Sequence, residues 1–163
     1  MTADILSRGA PRAVADVTEG LILASVEIAA PPERVFRALA SEELTRWWGS
    51  VDTYRVTKWI GDVRVGGSYR SEGVGADGKP FSVAGEFLEI DPPRKLVQTW
   101  RADWDAGART TVIYRLEPSA IGTRLTVRHE GFAGRPESCQ GHTEGWEHVL
   151  DWLAAHFPRA ARS

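Results

Sequence analysis

Alternation of apolar and polar residues runs through the middle of the chain, and a helical period takes over at its end. Over residues 21–29, Ile22, Ala24, Val26 and Ile28 alternate with Leu23, Ser25 and Glu27. This is the period-two pattern of a strand with one buried face. The same reading predicts strands over residues 54–60, 68–74, 81–90, 95–102, 108–117 and 123–130, linked by turn signals such as Asp77-Gly78, Pro92-Pro93 and Gly122. Seven strands with short connections imply an antiparallel sheet. From residue 139 onward, Cys139, His142, Trp146, Val149, Leu150, Leu153 and Phe157 recur at spacings of three and four. They form one apolar helix face, which Pro158 ends. Between the first strand and the second, Pro31-Pro32 opens a short helix carrying Val35, Phe36 and Leu39. Ser41 is placed to cap another helix, which ends at Trp47-Trp48-Gly49.

Strand parity assigns side chains to faces. Leu96, Gln98 and Trp100 share one face with Val112, Tyr114 and Leu116 and with Leu125, Val127 and His129. That face is predicted to meet the long helix. The segment 81–90 changes parity, and a β-bulge near Glu86 reconciles Phe81, Val83 and Phe87 with Leu88 and Ile90. Gly145 interrupts the final helix, and close approach of the sheet is the expected reason. Residues 1–19 have no sustained period and are read as a flexible arm. Residues 20–158 are read as one domain and 159–163 as a tail.

Composition narrows the function classes. The 163 residues are 42% hydrophobic and 26% charged, with a formal net charge of -2. That charge supplies no footprint for nucleic acid. No apolar run reaches membrane-spanning length, and nothing in residues 1–20 resembles a secretory signal, so a cytoplasmic location is expected. A single cysteine, Cys139, excludes an internal disulfide. His142, Glu144 and His148 do not share one helix face, so no metal site is expected, and no cofactor. Seven tryptophans against one methionine leave two accounts open, core filling and an aromatic wall around an apolar ligand.

The polar exceptions on the inward face are Gln98, Tyr114, His129 and His142. Buried polar groups need partners, either one another or a ligand. With Trp100 and Trp146 they make up the predicted ligand-binding set.

Several short motifs occur in order: Ala30-Pro31-Pro32-Glu33-Arg34-Val35-Phe36, Trp47-Trp48-Gly49, Gly66-Gly67, Gly85-Glu86, Ile90-Asp91-Pro92-Pro93-Arg94-Lys95-Leu96, Thr99-Trp100, Gly122-Thr123-Arg124-Leu125-Thr126 and Gly145-Trp146. Over residues 20–157 this set resembles the START/birch-pollen-allergen-like (SRPBCC) superfamily, in the branch similar to the C-terminal domain of activators of the Hsp90 ATPase. The resemblance implies an α+β helix-grip fold. A curved seven-stranded antiparallel sheet would grip the C-terminal helix, with two short helices after the first strand. It also implies a cavity between sheet and helix but no universal catalytic residue.

Three functions follow as expectations. The first is binding of a hydrophobic or amphipathic small molecule. A dry cavity of about 300 Å³ costs roughly 7 kcal/mol, so a large one is expected to be filled. The second is a cyclase- or aromatase-like enzyme using His129, His142, Tyr114 or Glu86 as acid, base or orienting group. The third is co-chaperone work with Hsp90. A homodimer stays open.

Overall fold

The alternating segments extend and pair because each has one face to bury and no helical stripe. The structure, a computed structural model, describes residues 11–106 and 108–159. Strands β1 (Arg12–Asp16) and β2 (Leu21–Ile28) precede helix α1 (Pro32–Leu39) and a 3₁₀ turn (Glu42–Arg46). Then come β3 (Tyr54–Gly61), β4 (Ser68–Gly75), β5 (Pro80–Asp91), β6 (Lys95–Ala102), β7 (Arg109–Pro118), β8 (Thr123–Glu130) and helix α2 (Pro136–His156). All strands join one curved antiparallel sheet in the order β1-β2-β8-β7-β6-β5-β4-β3. From β3 to β8 each strand pairs with the next in sequence. The short helices after β2 carry the chain across to the far edge.

The sheet has eight strands, one more than the sequence pattern predicts. The additional strand corrects the reading of residues 1–19 as a loose arm: Arg12–Asp16 pairs with β2, Val14 opposite Leu23. Its pattern escapes notice because its two half-buried positions, Ala13 and Ala15, are small and give a weak hydrophobic signal. The Ala13 amide also donates to Glu147 Oε2 on α2, at 3.2 Å. Residues 1–10 of that arm and 160–163 of the tail lie outside the described residues. The second short helix is a 3₁₀ turn rather than an α-helix. Ser41 caps it, accepting from the Glu43 amide at 3.2 Å.

Inward parity is as the alternation requires. Ile22, Ile28, Leu96, Val112, Leu125 and Val127 are fully sealed, and Leu150 and Leu153 of α2 pack into the same core. A bulge does interrupt β5. The register slips between Phe87 and Glu89, so Leu88 is the extra residue, two positions beyond Glu86. It turns Leu88 outward while Phe87 stays buried. Nearby, Gly85 is a place where only glycine fits. A Cβ there would stand 2.1 Å from the Thr99 carbonyl oxygen, and Thr99 Oγ1 accepts from the Glu86 amide at 2.8 Å.

One ionic cluster ties the helices together. Glu43 receives Arg34 at 2.7 Å and His156 Nε2, from the end of α2, at 2.7 Å. Burial on its own would raise the Glu43 pKa, but the bonds from Arg34 and His156 outweigh it and hold the carboxyl below its ordinary value.

Candidate functional site

Between α2 and strands β3 to β6 the helix does not close on the sheet. A cavity of about 630 Å³ lies there. Its floor comes from inward residues of the strands: Tyr54, Val56 and, past a register shift, Trp59 of β3, Tyr69 and Ser71 of β4, Phe81 and Val83 of β5, Gln98 and Trp100 of β6, and Tyr114 of β7. Leu44 and Trp48 close the end beneath the 3₁₀ turn, and His142, Gly145, Trp146 and Val149 form the helix side. The mouth lies where exposed Trp104 and Glu137, with Asp105 and Gly141, border the cavity between the β6–β7 loop and the first turns of α2.

Five of the seven tryptophans line the cavity. Trp47 is instead a core residue donating to the Ala38 carbonyl at 3.0 Å, and Trp152 packs edge-on against Tyr54. Trp48, Trp100 and Trp146 stand with ring centroids 6.0 to 6.1 Å apart, a close aromatic cluster.

Of the predicted set, Gln98, Trp100, Tyr114, His142 and Trp146 border the cavity. His129 does not, and its assignment to the wall is corrected. It is fully buried behind the rings of Trp100 and Trp146, because β8 lies beneath the helix where the cavity has already closed. Glu86, a candidate acid or base, is exposed and away from the cavity. Close approach of the sheet at Gly145 is also corrected: nothing lies within 4 Å of a Cβ built there or at Gly141. Both glycines border the cavity, and they leave its helix side open.

His129 organises the wall from behind. An indole N–H only donates, so Trp146 Nε1, 3.0 Å from His129 Nδ1, makes that nitrogen an acceptor. The proton therefore sits on Nε2, which donates to Thr110 Oγ1 at 2.7 Å, and Thr110 donates on to the Trp100 carbonyl. Trp100 Nε1 donates to His142 Nε2 at 3.3 Å. His142 then carries its proton on Nδ1, facing the Ser138 carbonyl at 2.9 Å. Ser138 Oγ donates to Asp105 Oδ2 at 2.8 Å, and Arg135 pairs with the same oxygen at 2.6 Å. One chain of bonds thus runs from Trp146 to the loop at the mouth.

Burial holds both imidazoles neutral. For His129 it pushes the pKa well below the ordinary value, aided by the neighbouring His142 and Arg135. For His142 burial also dominates, against the opposing pull of the Ser138 carbonyl and Asp105. Burial raises the Tyr114 phenol, and the nearby Tyr69 adds to it. Tyr69 donates to the Thr99 carbonyl at 2.6 Å, with Gln98 beside its hydroxyl.

The cavity residues the sequence reading passed over come mainly from β3, β4 and the β6–β7 loop. Trp48, Trp59 and Trp104 belonged to the suspected aromatic wall, but no parity argument placed them. For Tyr69 and Ser71 the signal was available as alternation within β4. For Asp105 and Ser138 there was none, since their pairing depends on how the loop meets the helix. Among the described residues no three His, Cys, Asp or Glu side chains gather as a metal site would require. No helix among them is long and apolar enough to cross a membrane.

Residues 29–158 match the family described as activator of Hsp90 ATPase homolog 1-like protein. The chain belongs to that family. It is similar in structure to protein CV1439 from Chromobacterium violaceum, with 31% identity, a TM-score of 0.71, and coverage of 85% of this chain and 96% of that one. The AHSA1 protein from Silicibacter pomeroyi is 29% identical with a TM-score of 0.70, covering 83% and 96%. A protein from Arthrobacter aurescens, 23% identical, shares the fold with a TM-score of 0.77 over 92% of each chain. Comparison with curated proteins gives no match.

Proposed function

We propose that this member of the family binds a small, largely apolar molecule in the cavity between α2 and the sheet. The observation that carries the reading is the wall: about 630 Å³ bordered by five tryptophans, three tyrosines and Phe81, with few polar groups among them. Small-molecule sites have this size and this mixture of apolar surface with sparse polar groups. A dry void of that volume would cost on the order of 15 kcal/mol, as much as the whole stability of a typical domain. The space therefore holds water or a ligand, and water against indole rings finds few partners.

Acid–base chemistry draws no comparable support. The lone pairs of both His129 and His142 are engaged by indole N–H groups. The family name refers to activators of the Hsp90 ATPase, but the binding reading rests on the wall and not on that name.

Native mass spectrometry of the chain purified from its own host tests the proposal. The expected result is a small-molecule adduct that solvent extraction removes, with a lower melting temperature after extraction, because a ligand bound only to the native state stabilises it. A bare chain whose melting temperature and tryptophan emission ignore a panel of apolar small molecules would overturn it.

A further inference from the structure

We propose that the ligand is a flat, uncharged aromatic molecule carrying a hydroxyl or carbonyl group, and that the cavity rejects organic carboxylates. This rests on the binding reading above and adds the chemical class.

Charge argues first. The charged side chains bordering the cavity are Asp105 and Glu137, both acidic and both at its mouth. Among the described residues, no lysine or arginine borders it. The nearby guanidinium, Arg135, is committed elsewhere. It pairs with Asp105 at 2.6 Å, donates to the Gly131 carbonyl at 3.2 Å and lies over the Phe132 ring. His142 offers no N–H to an anion, because its Nε2 accepts from Trp100 and its Nδ1 faces the Ser138 carbonyl. A carboxylate entering this space would lose its water and meet no cation, and an unpaired buried charge is strongly disfavoured. A neutral molecule meets no such penalty.

Shape and polarity argue second. Trp48, Trp100 and Trp146 present indole rings at mutual centroid distances of 6.0 to 6.1 Å, and flat aromatic ligands gain most from offset or edge-on contact with such rings. The helix side of the space is left clear by Gly141 and Gly145, where a Cβ would meet nothing within 4 Å. Beside the cluster sits the Tyr114 hydroxyl. The residue is only 2% exposed and borders the cavity, yet its hydroxyl has no hydrogen-bond partner among the described residues, unlike Tyr69. It is not one of the sealed polar atoms of the interior either. Burial keeps the phenol protonated. It is thus a donor waiting for one neutral acceptor or hydroxyl.

The test uses three probes of one shape: naphthalene, 2-naphthol and 2-naphthoate, titrated into the full chain by calorimetry at neutral pH. The expected order is 2-naphthol tightest, then naphthalene, with 2-naphthoate weaker than naphthalene by at least about tenfold. In Tyr114→Phe, 2-naphthol is expected to lose about five- to tenfold and fall to the naphthalene level, while naphthalene itself stays within about twofold. Binding of 2-naphthoate as tight as 2-naphthol would overturn the charge argument and leave the cavity reading standing. Unchanged 2-naphthol affinity in Tyr114→Phe would overturn the role given to that hydroxyl. Failure of all three probes to bind would remove the binding reading itself.

Discussion

Along α2, the first turns and the last turns meet different surroundings. Leu150 and Leu153 are sealed in the core. Two turns earlier, Gly141, His142 and Gly145 border an opening. The helical period is the same in both halves; the side chains it presents differ. Where large aliphatic residues fill the gap, the helix contributes stability. Where glycines and aromatic residues stand opposite β3 to β6, it leaves volume. Interiors are otherwise packed as densely as organic crystals, so a void bordered by two glycines and a layer of indoles sets this half of the molecule apart, and the binding proposed above is assigned to it.

That contrast breaks most directly at Leu153. Leu153→Ala is expected to cost about 2–5 kcal/mol, since it removes sealed apolar volume with nothing to refill it. Denaturant unfolding measures it, and a loss under about 1 kcal/mol would show that the core half is as loosely filled as the cavity half.

A smaller effect separates the layer behind the wall from the surface. His129 and His142 are held neutral by burial, with pKa values below the ordinary 6.5. The unfolded chain binds protons there first as pH falls. Their contribution to stability is therefore complete above about pH 6.5 and is lost progressively below it. The depressed carboxyls, Glu43 and Asp105 among them, add their own losses only at more acid pH, below their unfolded values near 4. Thermal melts across pH 7.5 to 5 are expected to show a steady decline that His129→Leu with His142→Leu flattens. A flat profile in the unaltered chain would mean that both rings reach solvent.

The smallest change sharpens the comparison by reversing sign. Gly145→Ala is expected to stabilise the chain by about 1 kcal/mol, the ordinary helix preference, because nothing stands within 4 Å of the added methyl. The melting temperature then rises by about 2–4 °C. A fall would mean that the helix lies closer to the sheet than the open cavity requires.

Period-two alternation in β2, β6, β7 and β8 and the three-four spacing of α2 are local properties of the chain. The inward faces, from Ile22 to Leu153, could be read from them directly. The same local rule failed at Arg12–Asp16, where alanines carry too little apolar signal to mark a strand, and pairing with β2 is what orders it. It put Gln98, Tyr114 and His129 on one face but could not say which would border open space and which would be enclosed. That depends on the separation of α2 from each strand, set by contacts far apart in sequence: the 3₁₀ turn under one end, Glu43 gripping His156, and Asp105 reaching Arg135 and Ser138. Alternation tells a side chain which way to point, but what it points at is decided by how far away the opposite layer stands.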